Sequence, residues 1–209
     1  KIGIGGDKPA LQRGIILGQE LTLALRALSV NASAVKDFDR LAIPFRAVAA
    51  DIETGKTVVL GDGDLATAMR ASMAVSGVFP PVDIGGRLLV DGGLSNNLPI
   101  DVVREMGADV VIVVDIPTKL KPREELTSAG AIVAQSLSVM ISRSSEQQLE
   151  TMTDTDILIQ PDLGDASSSS FELIAEMIQP GVEATRAQRD RLRGLVLAPA
   201  AYDAYAAAY

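Results

Sequence analysis

Histidine and cysteine are both absent from these 209 residues, which narrows the chemistry before any motif is considered. Without imidazole, the chain lacks the usual general base near neutral pH. Without thiols, it has no thiolate nucleophile, no disulfide and no cysteine-based zinc site. Acid–base work must fall to Asp, Glu, Lys or Tyr. Asp91 is the carboxylate best set for it, because it follows the apolar run Leu88-Leu89-Val90 and precedes Gly92 and Gly93. Strand ends in α/β sheets are where ligands bind. Two glycines also remove side chains beside the carboxylate, so backbone or ligand can approach closely. Taken alone, Asp91-Gly92-Gly93 reads more readily as an ordinary hairpin or bulge turn.

Other motifs carry less. Gly61-Asp62-Gly63-Asp64-Leu65-Ala66 fits a dinucleotide-binding pattern between a strand and a helix. Asp62 and Asp64, however, would set two negative charges where a pyrophosphate must sit, so the segment reads as a capped turn. Asp154, Asp156 and Asp162 suggest calcium, yet the glycine and glutamate that a calcium loop needs are missing, and they read as solvated turn residues. Asp51 and Asp91 could form a carboxylate pair, on loose spacing alone. Asn31-Ala32-Ser33 is a formal glycosylation triplet of a kind that chance produces often. Ser167 to Ser170 lack an adjacent base and read as a loop and helix cap. No serine stands in Gly-x-Ser-x-Gly: Gly93-Leu94-Ser95 begins the pattern, but Asn97 takes its closing position.

The elements that must position Asp91 alternate in type. A helix is expected from Gln19 to Ser29, with Leu21, Leu25 and Leu28 on one face. A strand is expected over Phe45 to Ile52, then a turn at Glu53 to Lys56 and a second strand over Thr57 to Leu60, as a hairpin. Asp64 caps a helix to about Ala74, and Pro80-Pro81 forbids helix after it. Ile84 to Arg87 forms a tight turn into the strand that ends on Asp91. Asn96 or Asn97 caps the next helix, which holds Pro99 and Asp101 in its first turn and ends at Gly107. Val110 to Ile116, apolar but for Asp115, reads as a strand of a parallel sheet covered on both faces. A long helix follows from Ser128 to Met152, then a strand at Ile157 to Pro161. Further helix over Phe171 to Arg193 is interrupted near Pro180-Gly181, and Ala198 to Tyr209 is a linker or tail, helical at most.

Alternation of this kind predicts an α/β fold with a mostly parallel central sheet. Hydrophobic residues make up 47% of the chain while aromatics are 3%, so the core must be Val, Ile, Leu and Ala. The net charge of −8 argues against a nucleic-acid partner, which needs clustered Lys and Arg. It also means that any peripheral membrane contact must be apolar. The stripe Ile132, Val133, Leu137, Met140 and Ile141 reads as core, with lipid or a second subunit (a homo-oligomer) as the alternative. No run approaches the length of a membrane span.

Several segments resemble bacterial patatin-like phospholipases. They are Phe45 to Gly55, Ala68-Met69-Arg70-Ala71-Ser72-Met73, Gly77-Val78-Phe79-Pro80-Pro81-Val82, and Leu88 to Pro99 with its Asp-Gly-Gly. Gly107 to Ile112 and Ile157 to Asp162 match later strands of that family, so the resemblance runs in order over residues 1–195. Ser76 is a departure, standing where these proteins often carry proline. The resemblance implies a three-layer α/β/α sandwich that hydrolyses acyl esters of phospholipids or related lipids. It implies a Ser–Asp dyad without histidine and without cofactor or metal. Asp91 carries over as the base, with Gly92 and Gly93 as the supporting motif.

The family's Gly-rich oxyanion loop and its nucleophile elbow do not occur in this sequence. Residues 1–197 are therefore expected to form a catalytic domain lacking that N-terminal segment, with 198–209 a linker. The missing piece is expected as a partner of some form, whether a separate chain, a nicked fragment or a segment not represented here. Without it, the sheet would have an exposed central edge. The alternative is a non-catalytic scaffold that binds lipid or a partner. The ending Leu197-Ala198-Pro199 resembles versions in which such a domain precedes an outer-membrane assembly module, which favours a secreted or cell-surface passenger over a cytoplasmic relative.

Overall fold

A computed structural model describes residues 2–5, 8–11, 18–164, 166 and 173–208. The run Ser167 to Ser170 and the start of the helix expected from Phe171 lie outside them. Two compact units make up the chain, Lys1–Asn97 and Leu98–Tyr209.

The first unit opens with an antiparallel pair, β1 (Ile2–Gly5) and β2 (Lys8–Leu11). Helix α1 (Gln19–Leu28) follows. Of its predicted apolar face, Leu21 and Leu25 are half-buried, while Leu28 is 84% exposed. Strands β3 (Ala47–Asp51) and β4 (Thr57–Leu60) form the expected hairpin. Helix α2 (Leu65–Ser72) starts where Asp64 was expected to cap it: the Asp64 carboxylate accepts from Thr67 N at 2.9 Å. Strands β5 (Val82–Ile84) and β6 (Arg87–Asp91) then pair across Gly85 and Gly86, at φ 62° and 77°. Two consecutive positive φ values suit a two-residue hairpin, and glycine reaches them without strain.

The sheet order is β4-β3-β6-β5, and every pairing in it is antiparallel. That corrects the expectation of a mostly parallel sheet for this unit. Loop length accounts for two of the three pairings: five residues join β3 to β4 and two join β5 to β6, while a parallel connection needs a crossover of about a dozen. The core beneath the sheet joins Phe38, Ala47, Ala49, Val58, Leu60, Ala68, Ala71 and Leu89. Alanines on both α2 and β3 let the helix lie close against the strands. Phe38 is fully buried and meets Phe45 with ring centroids 6.0 Å apart. These two rings supply bulk that the aromatic-poor composition offers almost nowhere else.

The second unit holds α3 (Ile100–Glu105), β7 (Ile112–Val114), α4 (Ala129–Leu149), β8 (Ile157–Ile159), α5 (Ile174–Ala187), α6 (Arg189–Arg193) and α7 (Pro199–Ala208). Strands β7 and β8 are parallel, with α4 in the connection between them, and this is the α/β crossover that the sequence suggests. Leu98, Ile100, Val111 and Val113 pack into one core, joined by Leu149 and Met152. Ser128 caps α4 by accepting from Ala131 N at 3.1 Å. Gly107, at φ 91°, ends α3 as expected, its N–H donating to the Arg104 carbonyl at 2.8 Å.

Four expectations fail in this unit. The start of α3 has no side-chain cap; Pro99 stands at that position in place of Asn96 or Asn97. Strand β7 is not covered on both faces, since Ile112 and Val114 are 48% and 55% exposed. Pro180 lies inside α5 without breaking it, and the break falls at Gln188. The α4 stripe is not core: Ile132, Val133 and Met140 are exposed, and Ser145 is the buried residue of that helix.

Candidate active site

Asp91 sits at the last position of β6, opposite Ala49 of β3. Its N–H donates to the Ala74 carbonyl at 3.0 Å, which ties the strand end to the residues just after α2. Beyond it, Gly92–Leu94 forms a single 3-10 turn. The Asp91 Oδ1 accepts from Gly93 N at 2.8 Å. Oδ2 takes no hydrogen bond from the described residues, so one carboxylate oxygen is held in place and the other is open to a proton. The side chain is half-buried. Burial pushes its carboxyl above the ordinary aspartate value, and the Gly93 N–H only partly offsets this. A carboxylate so placed is a stronger base than a solvated one, as proton abstraction requires.

The two glycines have separate reasons to be glycine. A Cβ on Gly92 would lie 2.2 Å from the Val48 carbonyl oxygen, closer than any real contact. A Cβ on Gly93 would meet Asn97 Oδ1 at 2.9 Å and Asp91 Oδ1 at 3.0 Å. The first glycine lets the turn press against β3, and the second leaves the carboxylate uncovered. The backbone approach inferred from sequence is thus the approach of β3 itself. Gly92→Ala should cost about 2–3 kcal/mol by overpacking against an immovable carbonyl. Urea unfolding would measure it, and an unchanged midpoint would contradict this close contact.

The other candidates are engaged elsewhere. Asp51 lies two residues along β3 from the partner of Asp91. Its carboxylate closes its own turn, accepting from Glu53 N at 2.9 Å, and that bond lowers its pKa. Asp51 and Asp91 are therefore shifted in opposite directions and serve different tasks. Ser95, near Asp91 in sequence, accepts from Thr57 Oγ1 at 3.0 Å. In the dinucleotide-like segment, Asp64 is committed to its cap. Among the described residues no group of three or more acidic side chains could hold a metal ion.

Asp156 is a correction, since it is not a solvated turn residue. It is 1% exposed, just before β8, and it accepts from Val111 N at 2.8 Å and Thr153 N at 2.7 Å. The Arg104 guanidinium pairs with it as well. Burial alone would raise its pKa, but these donors together hold the carboxyl far below the usual range. The sequence reading also missed Arg70, which is 5% exposed on α2. Its spacing of four residues from buried Ala66 and Ala74 was the available signal.

An antiparallel sheet backed by α2, with an activated carboxylate on a glycine turn, defines the first unit as part of an α/β protein with one candidate catalytic base. The family model described as patatin-like phospholipase matches residues 8–104. Patatin-like phospholipase domain-containing protein 7 of Mus musculus is 41% identical over 97 residues, covering 46% of this chain and 7% of that protein. Patatin-like phospholipase domain-containing protein 6 of Homo sapiens is 43% identical over 83 residues, covering 39% and 6%. An uncharacterized NTE family protein of Mycobacterium bovis is 38% identical over 103 residues, covering 49% and 28%. The chain thus spans under a third of the length of each of these relatives. Residues 8–104 thus resemble patatin-like phospholipases, and the three-layer α/β/α fold of that family agrees with the α/β class here.

Proposed function

We propose that this chain supplies the base of a lipid acyl hydrolase, an enzyme cleaving carboxylic esters of phospholipids or related lipids through a Ser–Asp dyad. Asp91 takes the proton of a serine hydroxyl through Oδ2 and later activates the water that releases the acyl group. The observation carrying this reading is the half-buried Asp91 carboxylate, with one oxygen fixed by Gly93 and one open, inside the segment that matches the family model. The 209 residues contain no Gly-x-Ser-x-Gly. The nucleophile and oxyanion donors therefore come from a segment outside this sequence. Because a carboxylate is a modest base, that oxyanion hole must supply several kcal/mol of the stabilisation.

A contact with the lipid surface would be apolar, given the net charge of −8; exposed Ile132, Val133 and Met140 of α4 support it. Among the described residues no helix is long and apolar enough to cross a membrane. Incubation of the full-length protein with phosphatidylcholine vesicles should release fatty acid. If no fatty acid appears and short acyl esters also survive, the scaffold reading replaces this one.

A further inference from the structure

Arg70 is the buried charge that the proposed chemistry leaves unused. Its Nη2 donates to the Pro80 carbonyl at 3.2 Å, and its Cζ lies 4.8 Å from the centre of the Phe79 ring. Nη1 is buried and has no hydrogen-bond partner among the described residues. Burial pulls the guanidinium below its ordinary pKa. Among the described residues no carboxylate pairs with it, and a buried cation without a counter-charge is costly.

The start of α1 meets this side chain. Gly18 stands at the N-cap, at φ 70°, with no side chain to cap the helix. The first turn of α1 therefore keeps unmatched N–H donors and the positive end of the helix dipole. Glu20 in that turn is exposed and points its charge to solvent. A Cβ on Gly18 would lie 2.7 Å from Arg70 Nη2 and 3.0 Å from Nε. Glycine thus lets the guanidinium pack against bare backbone at the helix start, in the space that any side chain there would need. Two electropositive features abut there, and among the described residues no carboxylate pairs with the guanidinium.

We infer that Arg70 and the N-terminal turn of α1 bind a phosphate group. The fork of guanidinium donors matches phosphate oxygens, and helix N-termini bind the same group through backbone N–H. The site bears on the proposed hydrolase through α2. Ala74, just beyond the end of α2 that carries Arg70, accepts the Asp91 N–H. A phospholipid could place its phosphate on Arg70 and its ester near Asp91. That source of phosphate rests on the hydrolase reading; the site itself does not, since free phosphate has the same chemistry.

The test uses the full-length protein with inorganic phosphate, with phosphatidylcholine vesicles and with p-nitrophenyl butyrate. Phosphate should raise the melting midpoint of the wild type. The rise should vanish in Arg70→Gln and shrink in Arg70→Lys, which keeps charge but loses the fork. A lipid source lowers the phosphatidylcholine-to-butyrate ratio of kcat/KM about tenfold in Arg70→Gln, the loss of one charge-assisted contact. An unchanged ratio with an Arg70-dependent phosphate shift assigns the site to free phosphate. Should Arg70→Gln fail to fold, Arg70→Lys decides on both readouts. The inference is overturned if neither the phosphate shift nor the ratio depends on Arg70. Wild-type protein that hydrolyses neither ester sinks the hydrolase reading, and the phosphate shift still judges the site.

Discussion

Asp91→Asn should lower kcat/KM for ester hydrolysis by the full-length protein about 10³-fold, the range that a positioned general base contributes. The substitution keeps the shape and an acceptor toward Gly93 N while removing the basic oxygen. It should not unfold the protein, and the sign follows from the direction of the pKa shift. Burial raises the Asp91 pKa above 3.8, so its stability term is full in acid and is lost as pH rises through the folded value. At neutral pH the ionised carboxylate is a burden on the fold, and Asn relieves it. Equal or higher thermal stability with lost activity is the expected pair of results. Activity retained within a few-fold would reject Asp91 as the base. The acid limb of kcat/KM in the wild type should likewise lie above 3.8.

Asp156→Ala should be the most destabilising single change in the second unit, by about 3–5 kcal/mol. It strands the Arg104 guanidinium and leaves the N–H groups of Val111 and Thr153 without their acceptor. These donors hold the entries to β7 and β8 together, so the parallel pair loses its register clamp. Here the pKa shift has the opposite sign. The folded carboxyl lies below 3.8, so the stabilisation is present above that value and is lost as pH falls toward the folded one. Urea unfolding at pH 7 and near pH 3 would measure both effects. A wild-type stability that does not fall between those conditions, or a harmless Asp156→Ala, would contradict this role. Because this loss occurs below 3.8 and the Asp91 limb lies above it, acid inactivation and acid unfolding should separate.

Local signals were read correctly wherever local geometry decides the outcome. The β3–β4 hairpin, the Asp64 and Ser128 caps, the Gly107 stop and the need for bare backbone at Gly92 each depend on residues close in sequence, or on one steric fact. What failed depends on distant partners. Asp154, Asp156 and Asp162 look alike in the sequence. Asp156 differs because Arg104 and Val111, far back in the chain, reach it. In the four-stranded sheet the two hairpins follow from short connections, whereas the central β3–β6 pairing joins segments far apart in the chain. The apolar run at Val110 to Ile116 cannot reveal from its own residues which face will be covered. Arg70 stands within a family-like motif, and its place on the stripe of Ala66 and Ala74 implies its burial.

The central claim is that this chain holds the base and not the nucleophile of a Ser–Asp pair. Labelling the full-length protein with a fluorophosphonate, followed by peptide mapping, tests it most directly. The account predicts one adduct, on a serine in a Gly-x-Ser-x-Gly segment outside these 209 residues, formed far more slowly in Asp91→Asn. An adduct on Ser95 or any other serine of this chain, or labelling that Asp91→Asn leaves undiminished, would contradict it.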